Sequence, residues 1–196
     1  MSVILAVCGE TFCAMVSDGR MVEEPVRLEQ NGTPHIISEE LPKLRKLNRN
    51  VVVGFAGDTL AAVQIINALD EYDVQALNLE RAVKIMQQKA AAVTCQPLGV
   101  RLLVGGRGRK GAFELVTMGS SDGYAPQTQP ARAGAYLIEG ACSHTEVAPL
   151  LAEYVKPQAA NWKSLDDVAH TLDGCITALA AQDKTVNTKF YRELVM

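Results

Sequence analysis

Ser2 is where chemistry first suggests itself, because removal of the initiator methionine, which a small second residue permits, leaves its hydroxyl beside its own free α-amine. A free α-amine has a reference pKa of about 7.7–8.0, close enough to neutrality to take the hydroxyl proton directly or through one water. A lysine ammonium nearby lowers that pKa further, and a carboxylate holds the lysine in place. Such a nucleophile needs a buried N-terminal strand, one lysine and one aspartate. Competing chemistries have less behind them. His35, His144 and His170 are isolated from one another and from any G-x-S-x-G serine, so a Ser-His-Asp triad has no support. The cysteines Cys8, Cys13, Cys95, Cys142 and Cys175 are odd in number, form no C-x-x-C pair and gather no histidines; no disulfide framework or metal site is expected, and a reducing compartment is. Segment 106–111, GRGRKG, matches G-x-G-x-x-G, but strand-like AFELV follows it and offers no helix N-terminus to a pyrophosphate. It reads as a basic hairpin tip, and no interleaved aromatics mark it for single-stranded nucleic acid.

The elements that would position Ser2 can be read from the apolar pattern. Residues 3–7 and 12–16 are apolar and joined by Gly9-Glu10, a buried hairpin that begins almost at the nucleophile. Between 25 and 37, Asn31-Gly32 supplies the dipeptide of a type I′ turn, and Pro34 confines that second hairpin to an edge. VVVGFAG at 51–57 is a strand, after which Asp58 or Thr59 can cap a helix to about Leu69, with a second helix over 79–93. VRLLVGG and AFELVTMG are strands around the 107–110 loop, and a further strand is expected at 135–139. Ser143 with Glu146 reads as a capping box opening a third helix that Pro149 bends; Ser164 with Asp167 opens a fourth, whose core stripe includes Val168, Leu172, Ile176 and Leu179. Residues 189–195 close as a strand. Strands and helices come in blocks rather than in strict alternation, which excludes a doubly wound sheet and suits two antiparallel sheets covered by helix pairs on both outer faces.

Composition agrees with one globular domain over residues 1–196: 48% of residues are apolar and the net charge is -3. A chain this long buries roughly 70% of its unfolded surface and needs no metal or disulfide to hold a core. The charge gives no reason to bind nucleic acid or a membrane surface, no stretch approaches the roughly 20 apolar residues of a membrane span, and the N-terminus lacks the basic region of a signal peptide. A cytoplasmic location is expected.

The segments SVILAV, CAMVSDGR, PKLRKLNRNVVVGFAGDTLAA, QPLGVRLLVGG, EGACS and ITALAAQD together resemble the N-terminal nucleophile hydrolases of the proteasome β-subunit type, a family that includes the bacterial ATP-dependent peptidase relative. The resemblance spans nearly the whole chain and implies an α+β fold, the four-layer αββα sandwich. It places Ser2 at the family's threonine nucleophile, Asp18 at its active-site aspartate and Lys43 at its catalytic lysine. It places Gly57 at the glycine whose amide stabilises the oxyanion, and Asp183 at an aspartate supporting the nucleophile from behind. Phe55 and Val22 fall on the substrate side, Phe55 as the floor of the pocket for the side chain preceding the cleaved bond. The sequence departs from the family at two supporting serines, which are Ala141 and Val186 here, and the stretch 20–42 is longer than usual.

What the resemblance implies is peptide hydrolysis through a Ser2 acyl-enzyme, no cofactor, a homo-oligomeric ring, an ATP-dependent unfoldase as partner and peptide or unfolded protein as substrate. Two other readings stay open: a non-catalytic ring or scaffold subunit, to which Ala141 and Val186 point, and an amidase of the same chemistry acting on small molecules.

Overall fold

The computed structural model describes residues 3–23, 33–142 and 146–196. Strands β1 (Val3–Cys8) and β2 (Cys13–Ser17) form the expected N-terminal hairpin, with Ile4 opposite Ser17 and Cys8 opposite Cys13. Strands β10 (Leu137–Cys142) and β11 (Tyr191–Val195) flank it, giving a four-stranded antiparallel sheet in the order β10-β1-β2-β11. A second antiparallel sheet runs β5-β6-β7-β8-β9, from β5 (Leu44–Asn48), β6 (Val51–Gly57), β7 (Val100–Arg107), β8 (Phe113–Gly119) and β9 (Gln127–Pro130). A short ribbon of β3 (Met21–Val22) and β4 (Ile36–Ser38) stands beside them.

Side-chain alternation along the strands shows the layering. Val3, Leu5 and Val7 pack with Val168, Leu172 and Ile176 of helix α5 (Leu165–Gln182), whereas Ile4, Ala6 and Cys8 pack with Val52, Leu103 and Leu115 of the other sheet. In β6 the split repeats: Val51, Val53 and Phe55 face α1 (Thr59–Asn67) and α2 (Leu79–Ala90), while Val52 and Ala56 face the first sheet. Central strands buried on both faces must be apolar at every position rather than at every second one, which is why they stand out in the sequence as continuous runs. The result is the expected αββα sandwich.

Local signals placed most of the helices. Asp58 caps α1 by accepting the Ala61 N–H at 3.1 Å, Asn78 caps α2, and the Ser164–Asp167 box opens α5. Elsewhere the structure corrects the expectations. Glu146, expected inside a helix first turn, is the residue before it and its side chain makes no capping bond; Ser143 and the Asn31-Gly32 turn lie outside the described residues. Pro149, expected to bend the third helix, lies just ahead of its irregular turn. It sits in the first turn of α3 (Val147–Leu150), where its missing N–H would have no partner in any case. The irregularity follows as a π-helical turn, Leu151–Val155, before α4 (Lys156–Ala159), where Pro157 lacks an N–H and its ring crowds the carbonyl four residues back. The strand expected at 135–139 is β10, shifted toward Cys142 by its pairing with all of β1. Strands β5 and β9 were not anticipated: β5 carries Arg45 and Lys46 in a basic run, and β9 is the exposed edge sequence QTQP. Both are edge strands, and edges need no apolar face.

Candidate active site

Where β2 ends, Asp18 turns back onto the start of β1. Its N–H donates to the Val3 carbonyl at 3.3 Å, and its Oδ1 accepts the Val3 N–H at 2.9 Å, so backbone and side chain together pin the residue that follows Ser2. Oδ2 accepts the Arg20 N–H at 3.0 Å. Lys43 arrives from the other sheet, immediately before β5, fixed there by its carbonyl accepting the Phe55 N–H at 3.1 Å. Its Nζ donates to Asp18 Oδ1 at 2.5 Å and to the Arg20 carbonyl at 2.7 Å. Asp18 and Lys43 are both 0% exposed, among the few charged residues in a mainly apolar core.

Taking two charges out of water costs several kcal/mol per ion, and the pair is tolerated only with good geometry and further hydrogen bonds. Here the carboxylate has two backbone N–H donors besides the ammonium, and the ammonium has a backbone carbonyl besides the carboxylate. Burial pushes the Lys43 pKa below the ordinary lysine value, and the attraction of Asp18 offsets this only in part. Cys142, opposite Val3 in the β1–β10 register, also acts on the ammonium, in the direction that favours its charge. A lysine of this kind moves a proton more readily than a solvated one.

Gly57 ends β6 with φ of +101°, turning the chain from the strand into the Asp58 cap of α1. A Cβ there would lie 2.2 Å from the Gly99 carbonyl oxygen, so only glycine fits both the angle and the space. Because Lys43 pairs with Phe55, Gly57 stands two residues further along the same strand. Asp183 is the C-cap of α5, its N–H donating to the Leu179 carbonyl, and its Oδ1 accepts from both the N–H and the hydroxyl of Thr185. The loop beyond it reaches the Asp18 turn: Asn187 Oδ1 accepts the Gly19 N–H at 2.9 Å, and the Arg20 guanidinium donates to the Lys184 carbonyl.

The expected site residues therefore converge unequally. Asp18 and Lys43 are in contact, Gly57 is close along β6, and Asp183 is tied in through its loop. Phe55 is 5% exposed within the core beneath α1, and Val22 is 3% exposed in β3. Ser2 lies outside the described residues. Ala141 faces the inter-sheet core and Val186 the core under α5, so neither position has a hydroxyl to offer. Thr185, one residue before Val186, brings the hydroxyl that Asp183 accepts; nothing in the sequence pattern distinguishes it. A roomy cavity of about 530 Å³, lined by Tyr154, Trp162, His170 and Cys175 among others, lies in the α4–α5 layer and not at the Asp18–Lys43 pair. Among the described residues no cluster of metal-ligating side chains forms, and no helix is long and apolar enough to cross a membrane. Segment 106–111 is the β7–β8 hairpin tip, with Gly108 and Ala112 closing the turn.

No family model and no curated protein matches the sequence. In three dimensions the chain is similar to the eukaryotic HslV from Trypanosoma brucei, with a TM-score of 0.62 over 98% of each chain at 15% sequence identity. A likeness at that identity establishes the HslV-like, proteasome-type fold; chemistry has to be argued from the site.

Proposed function

We propose that this chain, as one domain, is a proteasome-type N-terminal nucleophile hydrolase that cleaves peptide bonds through a Ser2 acyl-enzyme once Met1 is removed. The observation that carries the reading is the fully buried Asp18–Lys43 pair, anchored on the amide of Val3 and hence one residue from Ser2. In this mechanism the Ser2 hydroxyl gives its proton to the Ser2 α-amine as its oxygen attacks the substrate carbonyl carbon. Lys43, oriented by Asp18, favours the neutral amine and the developing alkoxide. The Gly57 N–H donates to the tetrahedral oxyanion, a donor of the sort that is worth a few kcal/mol. The Ser2 α-ammonium then protonates the leaving nitrogen, the C–N bond breaks, and an ester remains on Ser2 with the α-amine neutral again. Water, deprotonated by the same amine, hydrolyses it. Asp183, fixed by Thr185, supports the nucleophile from behind, and Phe55 and Val22 border the substrate. No cofactor enters any step. A homo-oligomeric ring, an ATP-dependent unfoldase partner and a cytoplasmic location belong to the same proposal, supported by the fold's likeness to HslV.

The test is intact mass and N-terminal sequencing of the protein from its own host, followed by labelling with a β-lactone. The expected outcome is a chain beginning at Ser2 that gains one lactone adduct, lost in Ser2→Ala. Quantitative retention of Met1, or no adduct on a free Ser2, overturns the reading. That second outcome would favour a non-catalytic ring subunit, the reading to which the apolar Ala141 and Val186 point. Turnover of small amides but not of peptides would instead favour an amidase.

A further inference from the structure

Beyond Val22, the long stretch between Arg20 and Pro42 has no part in the mechanism above, yet it returns a side chain, that of Glu39, to the site. Arg20 is the hinge of the arrangement. Its N–H donates to Asp18 Oδ2 and its carbonyl accepts from Lys43 Nζ, so its main chain sets the position of both partners of the buried pair. Its guanidinium is held at both ends. Nε and one terminal nitrogen donate to the two carboxylate oxygens of Glu39, each at 3.0 Å, and the other terminal nitrogen donates to the Lys184 carbonyl. Glu39, immediately after β4, is held in turn by Asn187, whose Nδ2 donates to the carboxylate at 2.6 Å and to the Glu39 main-chain carbonyl at 3.0 Å. The Oδ1 of Asn187 accepts the Gly19 N–H, which closes the circuit on the residue between Asp18 and Arg20. Gly19 is packed so tightly there that a Cβ would meet the Glu39 carbonyl oxygen at 2.8 Å.

We propose that Glu39 and Asn187 are positioning residues for Lys43, acting through the main chain of Gly19 and Arg20. The kinetic consequence rests on the Ser2 reading; the structural consequence does not. The Arg20–Glu39 side chains are 21% and 47% exposed, and ion pairs so open to solvent add little to global stability. A two-point guanidinium–carboxylate fork does, however, fix geometry, and here that geometry aims the carbonyl that receives the Lys43 ammonium. Slackening the fork withdraws one acceptor from Lys43 and admits water beside it. An ordinary surface clamp would hold the loops together and leave Lys43 as it is.

The experiment uses the full chain and the variants Glu39→Gln, Arg20→Lys and Asn187→Ala, with lysine Cε carbons labelled for NMR. Among the described residues Asp18, Arg20 and Cys142 act on Lys43, and Asp18 and Cys142 are retained in Glu39→Gln. The expected result is a Lys43 titration displaced from its wild-type midpoint and faster amide exchange at Val3 and Arg20, while amides in the middle of β1 keep their protection. Lactone acylation of Ser2 should fall roughly 10- to 100-fold, the scale of a misplacement of about 1 Å at a reacting centre. Arg20→Lys should fail to rescue, because a point charge cannot make the fork. A lower Tm with unmoved Lys43 titration and unmoved Val3 exchange is the signature of a clamp and overturns the proposal, even where Ser2 is acylated. A wild-type chain that is never acylated removes the hydrolase reading and leaves the lysine titration to judge the positioning.

Discussion

Lys43 and Arg45 stand two residues apart in the run PKLRKL, and each meets one aspartate. Lys43 meets Asp18 with both side chains 0% exposed; Arg45 forks onto Asp70 with side chains 33% and 54% exposed. Judged by geometry alone the second pair is the better one, since two guanidinium nitrogens engage both carboxylate oxygens. Burial reverses the ranking. At the surface, water solvates both charges whether or not they touch and salt screens what remains, so the Arg45 pair has little to lose. In the core, neither charge has water to return to, and each depends on its partner and on the backbone groups of Val3 and Arg20. Neighbouring cations of one short run thus differ in kind: one is buried in a structure that can tune a proton, the other is a solvated contact.

Removing each cation in turn separates the two pairs most directly. Lys43→Ala strands the Asp18 carboxylate in the core and should destabilise the fold by about 3–5 kcal/mol in chemical denaturation. Lys43→Met combined with Asp18→Asn, which removes both charges, should recover much of that loss. A Lys43→Ala penalty below about 1 kcal/mol would make the buried pair energetically equivalent to the exposed one. A subtler difference lies in pH dependence. Because burial lowers the Lys43 pKa, the unfolded chain binds a proton that the folded chain has released anywhere between the lowered midpoint and about 10.4. Folding stability contributed at this residue therefore rises with pH across that window and is flat below it, and the stability difference between wild type and Lys43→Met should grow in the same direction. A difference independent of pH up to 10 would mean that Lys43 titrates as an ordinary lysine. The smallest effect belongs to Arg45→Ala, expected to cost no more than about 1 kcal/mol and to shrink as salt rises from 0.05 to about 0.5 M. A larger loss that resists salt would show that Arg45 packs as well as pairs.

How far such distinctions were legible depended on the range of the interaction. The capping box at Ser164 and Asp167 involves residues three apart, and it was readable because cap and helix lie in the same few residues. Strand β6 was readable because burial on both faces leaves VVVGFAG nothing to alternate with. Strands β5 and β9 were not, since an edge strand owes its existence to a neighbour's hydrogen bonds rather than to its own apolar pattern. Within the site, likeness to a family singled out Asp18 and Lys43, but periodicity alone would leave PKLRKL as a solvated basic edge. Glu39 and Asn187 carry no motif at all: the bond from Gly19 to Asn187 joins residues 168 positions apart.

The sequence by itself therefore determined the layers: runs apolar on every residue demand two covered faces, and blocks of strands and helices leave two packed sheets between helix pairs as the arrangement that covers them. Gly57 was singled out by likeness to a family, and the structure supplies the reason, since the turn from β6 into α1 admits no other residue. Only the tertiary structure decided which cation of a basic run lost its water, which carboxylate met it, and which distant loop held the two in place. Periodicity is a property of one segment, whereas burial of a charge is a property of everything packed around it. The decisive contacts of Lys43 come from a carboxylate and a carbonyl in the turn that follows β2, on the other sheet's side of the sandwich.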